Sequence, residues 1–416
     1  MPWDALICTS TAARSVVDAV LEHQGELERW RLGTVIKTRP LLPVIPLGVH
    51  TADFAFDEAQ RESARQELGI GPEAVAAIYA GRFSLNGKAH PYAMMCAIQT
   101  AADVTGKEVV LILAGHAFNN AIEKVFAEAV ATYCPRVRTL FVNGRDQTLY
   151  RRAWAAADLF ISLSDSIQES FGITPLEAMA AGLPSVVSDW NGYKDTVRDG
   201  IDGFRIRTWT PPPGVGATIA HDYEMGLDTY SSYLARSTMA VAVDLDQLSR
   251  RLADLIVDAD LRRRMGAAAQ ARARAQFDWA VVYKCYQALW AEQTAIRMNA
   301  AADPATRDWL SRAPRTGADH MGPFDTFAGF PTGHVSAQTR VARTAVTSQI
   351  YQQMRESPLL SYMAVAPALA ELVIDGLGGG SVSVEELAQT TGVPMPQMFE
   401  TLARLAKIGV VALTPP

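Results

Sequence analysis

Between about residue 70 and residue 206 the chain alternates short, almost continuous apolar runs with longer stretches in which apolar positions recur at helical spacing. The runs are AVAAIYAG (74–81), EVVLILAG (108–115), VRTLFVNG (137–144), DLFISLS (158–164) and PSVVSD (184–189). Each ends in Gly, Ser, Asn or Asp, and each reads as a strand buried on both faces. The segments between them are long enough to cross over and return. This order predicts an α/β domain, a Rossmann-like doubly wound parallel sheet covered by helices on both faces. Ligands of such sheets sit outside the carboxyl ends of the strands, so the residues after each run are the ones to search for chemistry.

The flanks read differently. DALIC (4–8) predicts a strand, TAARSVVDAVLEH (11–23) a helix and PVIPLGV (43–49) a further strand, too little sheet to bury two faces by itself. After Trp209, TPPPGVG is a loop, and three helical patterns run from Val243 to Met298. Residues 299–336, rich in Pro, Gly, Asp and Thr, predict an irregular linker. The last 36 residues, SVSVEELAQTTGVPMPQMFETLARLAKIGVVALTPP, give helix, Gly-Val-Pro turn, helix and strand, a winged-helix-like unit. The predicted division is therefore 1–50, 51–298, 299–336 and 337–416.

Charge and composition narrow the classes. A net charge of −6 over 416 residues gives no general attraction to nucleic acid or to an anionic membrane. The helix MPQMFETLARLAKIG carries only Arg404 and Lys407 against Glu400, so the tail predicts a protein-interaction or dimerisation module and not a nucleic-acid reader. Cys8, Cys96, Cys134 and Cys285 are far apart, without a paired spacing or a histidine cluster, which predicts reduced, buried thiols and no metal site. No run approaches the roughly 20 apolar residues of a membrane span, and the first residues lack a basic-then-apolar signal, so the expected address is the cytoplasm.

The stretch ESFGITPLEAMAAG (169–182) holds two carboxylates eight positions apart. Thr174, Pro175 and Glu177 predict a helix start with Thr at the N-cap, Pro at N1 and Glu at N3, which makes Glu177 a capping-box carboxylate. Gly172 turns the chain just before that helix and leaves its free amides facing outward, where they favour an anion or an oxygen-rich group. Glu169 lies upstream, in the loop after DLFISLS.

Residues 169–184 resemble the E-x7-E signature of the family 4 retaining glycosyltransferases, with its usual continuation into EAMAxGxP. AGRFSLNGKAH (80–90) is similar to that family's donor-phosphate segment, AADLFISLS to the strand feeding the signature, and SDWNGYKDTVRDGIDGF (188–204) to the loop and turn that follow. The resemblance implies the GT-B architecture, two Rossmann-like domains facing across a cleft, of which the carboxyl-terminal one holds a nucleotide-sugar. It implies that Arg82 and Lys88 take the donor diphosphate and that Glu177 accepts hydrogen bonds from the ribose. Glu169, with the amides of Phe171 and Gly172 and the adjoining Ile173, faces the transferred sugar and its phosphate. Asn143 and Gly144 meet the base.

It further implies a hexosyltransferase-like, retaining reaction with no cofactor and no divalent metal, the departing phosphate acting as base for same-face attack by the acceptor hydroxyl. Leu163 stands where the family carries proline, and Asn191-Gly192 where it carries Gly-Gly. Residues 1–50 resemble only the end of the family's acceptor domain, so most of that domain is expected to be missing, through a start placed too late, a truncated gene or a second chain. The acceptor, whether glycan, lipid or small molecule, stays open. The alternative reading is a catalytically silent nucleotide-sugar-binding or interaction protein.

Overall fold

The computed structural model describes residues 1–34, 39–314, 316–317, 319–363 and 365–416. They form two compact units, Met1–Ser311 and Arg312–Pro416. In the first unit α1 (Thr11–Leu32) and α2 (Glu58–Glu67) precede a run of strand and helix pairs: β1 (Val75–Phe83), α3 (Pro91–Thr105), β2 (Val109–Ala117), α4 (Asn120–Tyr133), β3 (Arg138–Asn143) and α5 (Gln147–Ala156). The run continues with β4 (Leu159–Ser162), α6 (Thr174–Ala180), β5 (Ser185–Ser188), α7 (Tyr193–Thr196) and β6 (Gly203–Ile206). The six strands form one parallel sheet in the order β3-β2-β1-β4-β5-β6.

Side chains alternate faces along each strand. Val75, Ala77 and Tyr79 of β1 join one buried cluster while Ala76, Ile78 and Ala80 join the other, and Leu111 and Ile112 of β2 divide in the same way. Both faces of the central strands are therefore apolar, which is why those strands read as unbroken runs; the edge strand β3, expected to be buried on both faces, buries only Val142 and leaves Arg138, Phe141 and Asn143 exposed, because no strand covers its outer side. The sixth strand did not read as a run: GFRI is four residues long and interrupted by Arg205. The order in which strands are added switches sides at β1, with β2 and β3 on one side and β4 to β6 on the other, since β1 pairs with β2 through Ala77 and Leu111 and with β4 through Ala77 and Leu159. That switch opens a crevice at the carboxyl ends of β1 and β4.

Beyond the sheet, β7 (Thr208–Trp209) and β8 (Ala242–Val243) pair antiparallel and frame two inserted helices, α8 (Ala217–Glu224) and α9 (Tyr230–Thr238). Helices α10 (Leu245–Val257), α11 (Ala259–Arg272), α12 (Trp279–Ala302) and α13 (Pro304–Ser311) follow, with a π-helical turn, Ala273–Phe277, after α11. The helix expected over 11–23 runs on to Leu32. The two strands expected around it shrink to isolated parallel bridges, Ala5 with Leu41 and Cys8 with Val44. Ile45 packs against Val282 and Leu289 of α12, and Ser10 Oγ donates to the Ser170 carbonyl at 2.7 Å. Thr11 donates its backbone N–H and its hydroxyl to Asp195, both at 2.6 Å. The first 50 residues thus lie within the same unit as the sheet.

In the second unit α14 (Pro323–Thr326), β9 (Arg340–Arg343), α15 (Ser348–Arg355), α16 (Pro367–Gly376), β10 (Ser381–Ser383), α17 (Val384–Thr391), α18 (Met395–Lys407) and β11 (Val411–Thr414) surround a core that includes Val341, Tyr351, Leu387 and Leu402. The strands form an antiparallel sheet in the order β10-β9-β11. The helix, Gly-Val-Pro turn, helix and strand order expected for the tail is present, with Gly392 at a φ of 70° ending α17. The irregular linker expected over 299–336 is helical in part. Asp303 accepts the Thr306 N–H at 2.9 Å and starts α13, and alanines carry α12 through to Ala302. All four cysteines are free; Cys8 and Cys134 are buried as expected, but Cys96 is half-buried and Cys285, on α12, is exposed. Among the described residues no helix is long and apolar enough to cross a membrane.

Candidate functional site

At the crevice, the loop after β1 and the loop after β4 meet. Lys88 donates from Nζ to Glu169 Oε2 at 2.9 Å, across 81 positions of sequence. Glu169 is buried, with 7 % of its surface exposed, and Lys88 is half-buried. A cation held against a carboxylate at the end of two central strands is an unusual expense of desolvation unless something there uses it. The pair lines a cavity of about 250 Å³ whose wall also includes Phe171, Gly172, Ile173 and, from the amino-terminal segment, Leu47.

Gly172 makes the turn that shapes this cavity. Its φ is 83°, in the left-handed region, and a Cβ there would lie 2.2 Å from Cε1 of Tyr193. Tyr193 is buried behind it, its hydroxyl 2.9 Å from Ser162 Oγ. The phenols of Tyr193 and of Tyr79, which also lines the cavity, are pushed up by burial and then by the charge of Glu169, so both stay protonated and able to donate. Ser164, buried on the same wall, has no hydrogen-bond partner for its Oγ among the described residues.

The capping-box expectation for Glu177 is overturned. Ile173 already has helical angles, φ −78° and ψ −34°, and acts as N-cap without a side-chain bond. The helix therefore begins at Thr174, one residue earlier than the sequence suggested, and Glu177 falls at the fourth helical position, past the reach of a capping box. Its Oε2 instead accepts from the Tyr150 hydroxyl of α5 at 2.7 Å. Burial raises its pKa, and the Tyr150 bond pulls the other way by favouring the ionised form.

The remaining expected residues face neighbouring concavities. Arg82 is exposed and lines a cavity of about 570 Å³ with His116, Arg145, Gln168 and Tyr230 of α9. Asn143 lines one of about 560 Å³ with Gly115, His116 and Arg145. The Asn143 side chain accepts the Arg145 N–H at 3.0 Å, and Gly144 donates its N–H to the Gly115 carbonyl at 2.8 Å. A Cβ at Gly144 would stand 2.9 Å from Gly115 Cα, so that turn needs glycine to close on β2. Lys88, Glu169, Phe171, Gly172 and Ile173 thus surround one cavity, while Arg82 and Asn143 face two others that share His116 and Arg145. Sequence reasoning missed Tyr79, Tyr150, Ser164, Tyr193, Arg145 and Tyr230. Tyr193 sits inside the quoted loop SDWNGYKD, where an aromatic after Asn-Gly was a usable signal.

Asp165, between Ser164 and Ser166 on the loop after β4, is 6 % exposed. Burial pushes its pKa up to about 7, against weak bonds from the backbone. A carboxyl raised in the folded state stabilises the fold while protonated, and that contribution is lost as pH rises from its unfolded value near 4 through about 7. Asp165→Asn is expected to flatten the fall in stability between pH 5 and pH 8, with a gain over wild type at pH 8 on the order of 2–4 kcal/mol, read from urea midpoints. A pH profile unchanged by the substitution would remove Asp165 from the account.

Residues 60–209 match the sequence family described as Glycosyl transferases group 1. The D-inositol 3-phosphate glycosyltransferase of Nocardia farcinica is 26 % identical over 193 residues, which are 46 % of this chain and 42 % of that protein. The alpha-maltose-1-phosphate synthase of Mycobacterium tuberculosis is 28 % identical over 247 residues, 58 % of this chain and 54 % of that one. The chain thus spans about half the length of these curated relatives. Among solved structures, the Anabaena protein Alr3699/HepE in complex with UDP-glucose is similar with a TM-score of 0.48 and 20 % identity, over 70 % of this chain and 64 % of that chain.

Proposed function

We propose that the unit built on β1 to β6 binds a nucleotide-sugar and serves a retaining, family 4-like glycosyl transfer to an acceptor hydroxyl, in the cytoplasm and without a divalent metal. The observation that carries this reading is the Lys88–Glu169 pair at the switch point of the sheet, inside the segment that matches the glycosyl transferases group 1 family. A lysine there can neutralise the diphosphate as it departs. Glu169 and the amides of Phe171 and Gly172 face the sugar and its phosphate. In the transfer, an acceptor oxygen attacks the anomeric carbon on the face from which the diphosphate leaves. The sugar–phosphate bond breaks, and the leaving phosphate oxygen takes the hydroxyl proton. Arg82 reaches the diphosphate from the adjoining concavity, and Asn143 and Gly144 take the base.

In this reading Glu177 holds the ribose, and the Tyr150 hydrogen bond favours its ionised form against burial. Glu177→Ala is expected to lower donor affinity by about tenfold or more. Tyr150→Phe is expected to cost less, and its loss should shrink at higher pH, because removing the phenol raises the pKa of Glu177 and delays its ionisation. Changes in melting alone, with donor affinity intact, would make both residues structural.

The deciding experiment is calorimetric titration of the full chain, in EDTA, with UDP-, GDP- and ADP-glucose and the matching nucleoside diphosphates. Saturable binding of one nucleotide class is expected. Binding of none overturns the donor reading, and binding that returns only with added magnesium overturns the metal-independent part. Donor binding with no transfer to any hydroxyl acceptor would favour a nucleotide-sugar-binding protein. Where product forms, an anomeric configuration inverted relative to the donor would rule out retention.

A further inference from the structure

Behind the loop that carries Glu169 lies a separate cavity of about 360 Å³. Its walls are mainly apolar, with Leu85 and Ala93 near the start of α3, Leu163 after β4, and Met239 and Val243 where the inserted helices rejoin the chain. Asp165 is the single carboxylate along it, and no Lys or Arg lines it. Both Asp165 oxygens lie 3.3 Å from the His90 backbone N–H, the Asp165 backbone N–H also faces the carboxyl, and no cation lies within ion-pair distance among the described residues. A carboxylate offers about four acceptor positions, so part of its capacity is unused.

The other ionisable groups on these walls cannot compensate it. His90, the N-cap of α3, is exposed; its pKa is lowered from the ordinary imidazole value by partial desolvation, and its Nδ1 accepts the Tyr92 N–H at 3.4 Å. Tyr92 is a phenol. A buried carboxylate in apolar surroundings either takes a proton or acquires a cation. The volume falls in the range of small-molecule sites, which combine apolar walls with one or two placed polar groups.

We propose that this cavity binds a small molecule with a compact apolar body and one primary ammonium group, the ammonium docking on Asp165. The inference is independent of the donor reading, since neither Lys88 nor Glu169 lines this cavity.

The test is calorimetry of the full chain at pH 8 with cyclohexylammonium chloride, and with cyclohexanol as the uncharged match. Saturable binding of the amine is expected, with the alcohol weaker by about tenfold or more, the value of a charge-assisted over a neutral hydrogen bond. Amine affinity should fall as pH drops through about 7, where Asp165 takes up a proton. Asp165→Asn should bring the amine down to the affinity of the alcohol and remove that slope, while any slope contributed by His90 persists. Ala93→Phe, which fills the cavity from the α3 wall, should abolish both. Circular dichroism and melting confirm that each variant is folded. Equal affinity for the two probes, an amine affinity unchanged by Asp165→Asn, or no saturable binding of the amine overturns the proposal.

Discussion

Lys88→Met should weaken nucleoside-diphosphate sugars by about 10- to 100-fold while changing the affinity of the bare nucleoside by less than about threefold, since one charge-assisted bond to a phosphate is worth about 1.5–3 kcal/mol. The same substitution leaves Glu169 buried with no cation beside it. Removing one partner of a fully buried pair costs about 3–5 kcal/mol, but Lys88 is 35 % exposed, so screening should hold the loss nearer 1–2 kcal/mol. Adding Glu169→Gln removes the stranded charge, so the double variant should recover melting temperature but not diphosphate affinity. Equal losses for nucleoside and nucleotide-sugar would mean that Lys88 shapes the cavity without meeting phosphate.

Gly172→Ala should be among the most damaging single substitutions in the first unit. An L-residue at a φ of 83° costs about 1–2 kcal/mol by itself. The added methyl meets the ring of Tyr193 at 2.2 Å, and Tyr193 is 2 % exposed with no room to retreat. Displacing it breaks its contact with Ser162 as well. A total loss of about 3 kcal/mol or more is expected from urea unfolding, together with loss of ligand binding at the cavity that Gly172 lines. Gly71→Ala is the control: nothing lies within 4 Å of a Cβ there and the backbone is not left-handed, so the change should be neutral or slightly stabilising. A Gly172→Ala protein within about 0.5 kcal/mol of wild type would refute the steric argument.

β1, β2, β4 and β5 could be read from the chain because strands covered on both faces demand unbroken apolar runs, and the edge strand β3 because Leu140, Phe141 and Val142 are apolar in a row. β6 could not, since four residues around Arg205 carry no period of their own. Helices α8 and α9 were hidden for a related reason. Both are short, eight and nine residues, α9 buries only Leu234 and Thr238, and α8 buries no residue at all. At the site, Lys88 and Glu169 were legible because both lie in stretches with a family likeness. Their contact was not, because the two lie 81 positions apart and only the folded sheet brings them together. The helix start at Thr174 was misjudged by one residue, since nothing in the string ITPLE reveals that Ile173 already has helical angles once Gly172 has turned the chain. Tyr150 lies 27 residues from Glu177, on a different helix, and no local rule links them. Propensity and periodicity describe neighbours along the chain, whereas these polar partners are set by the order of the strands.

The docking of Ser10 and Thr11 bears on how the protein can be shortened. A version cut after residue 50 to isolate the sheet would remove Leu47 from the cavity wall, strip Ser170 of the hydroxyl on its carbonyl one residue from Glu169, and leave Asp195 without both of its donors. Such a fragment would be a damaged binder, and a weak titration obtained with it would describe the cut and not the protein. Expression boundaries belong ahead of Ser10, and a tag fused there would hang beside the ligand cavity, within reach of interfering with it.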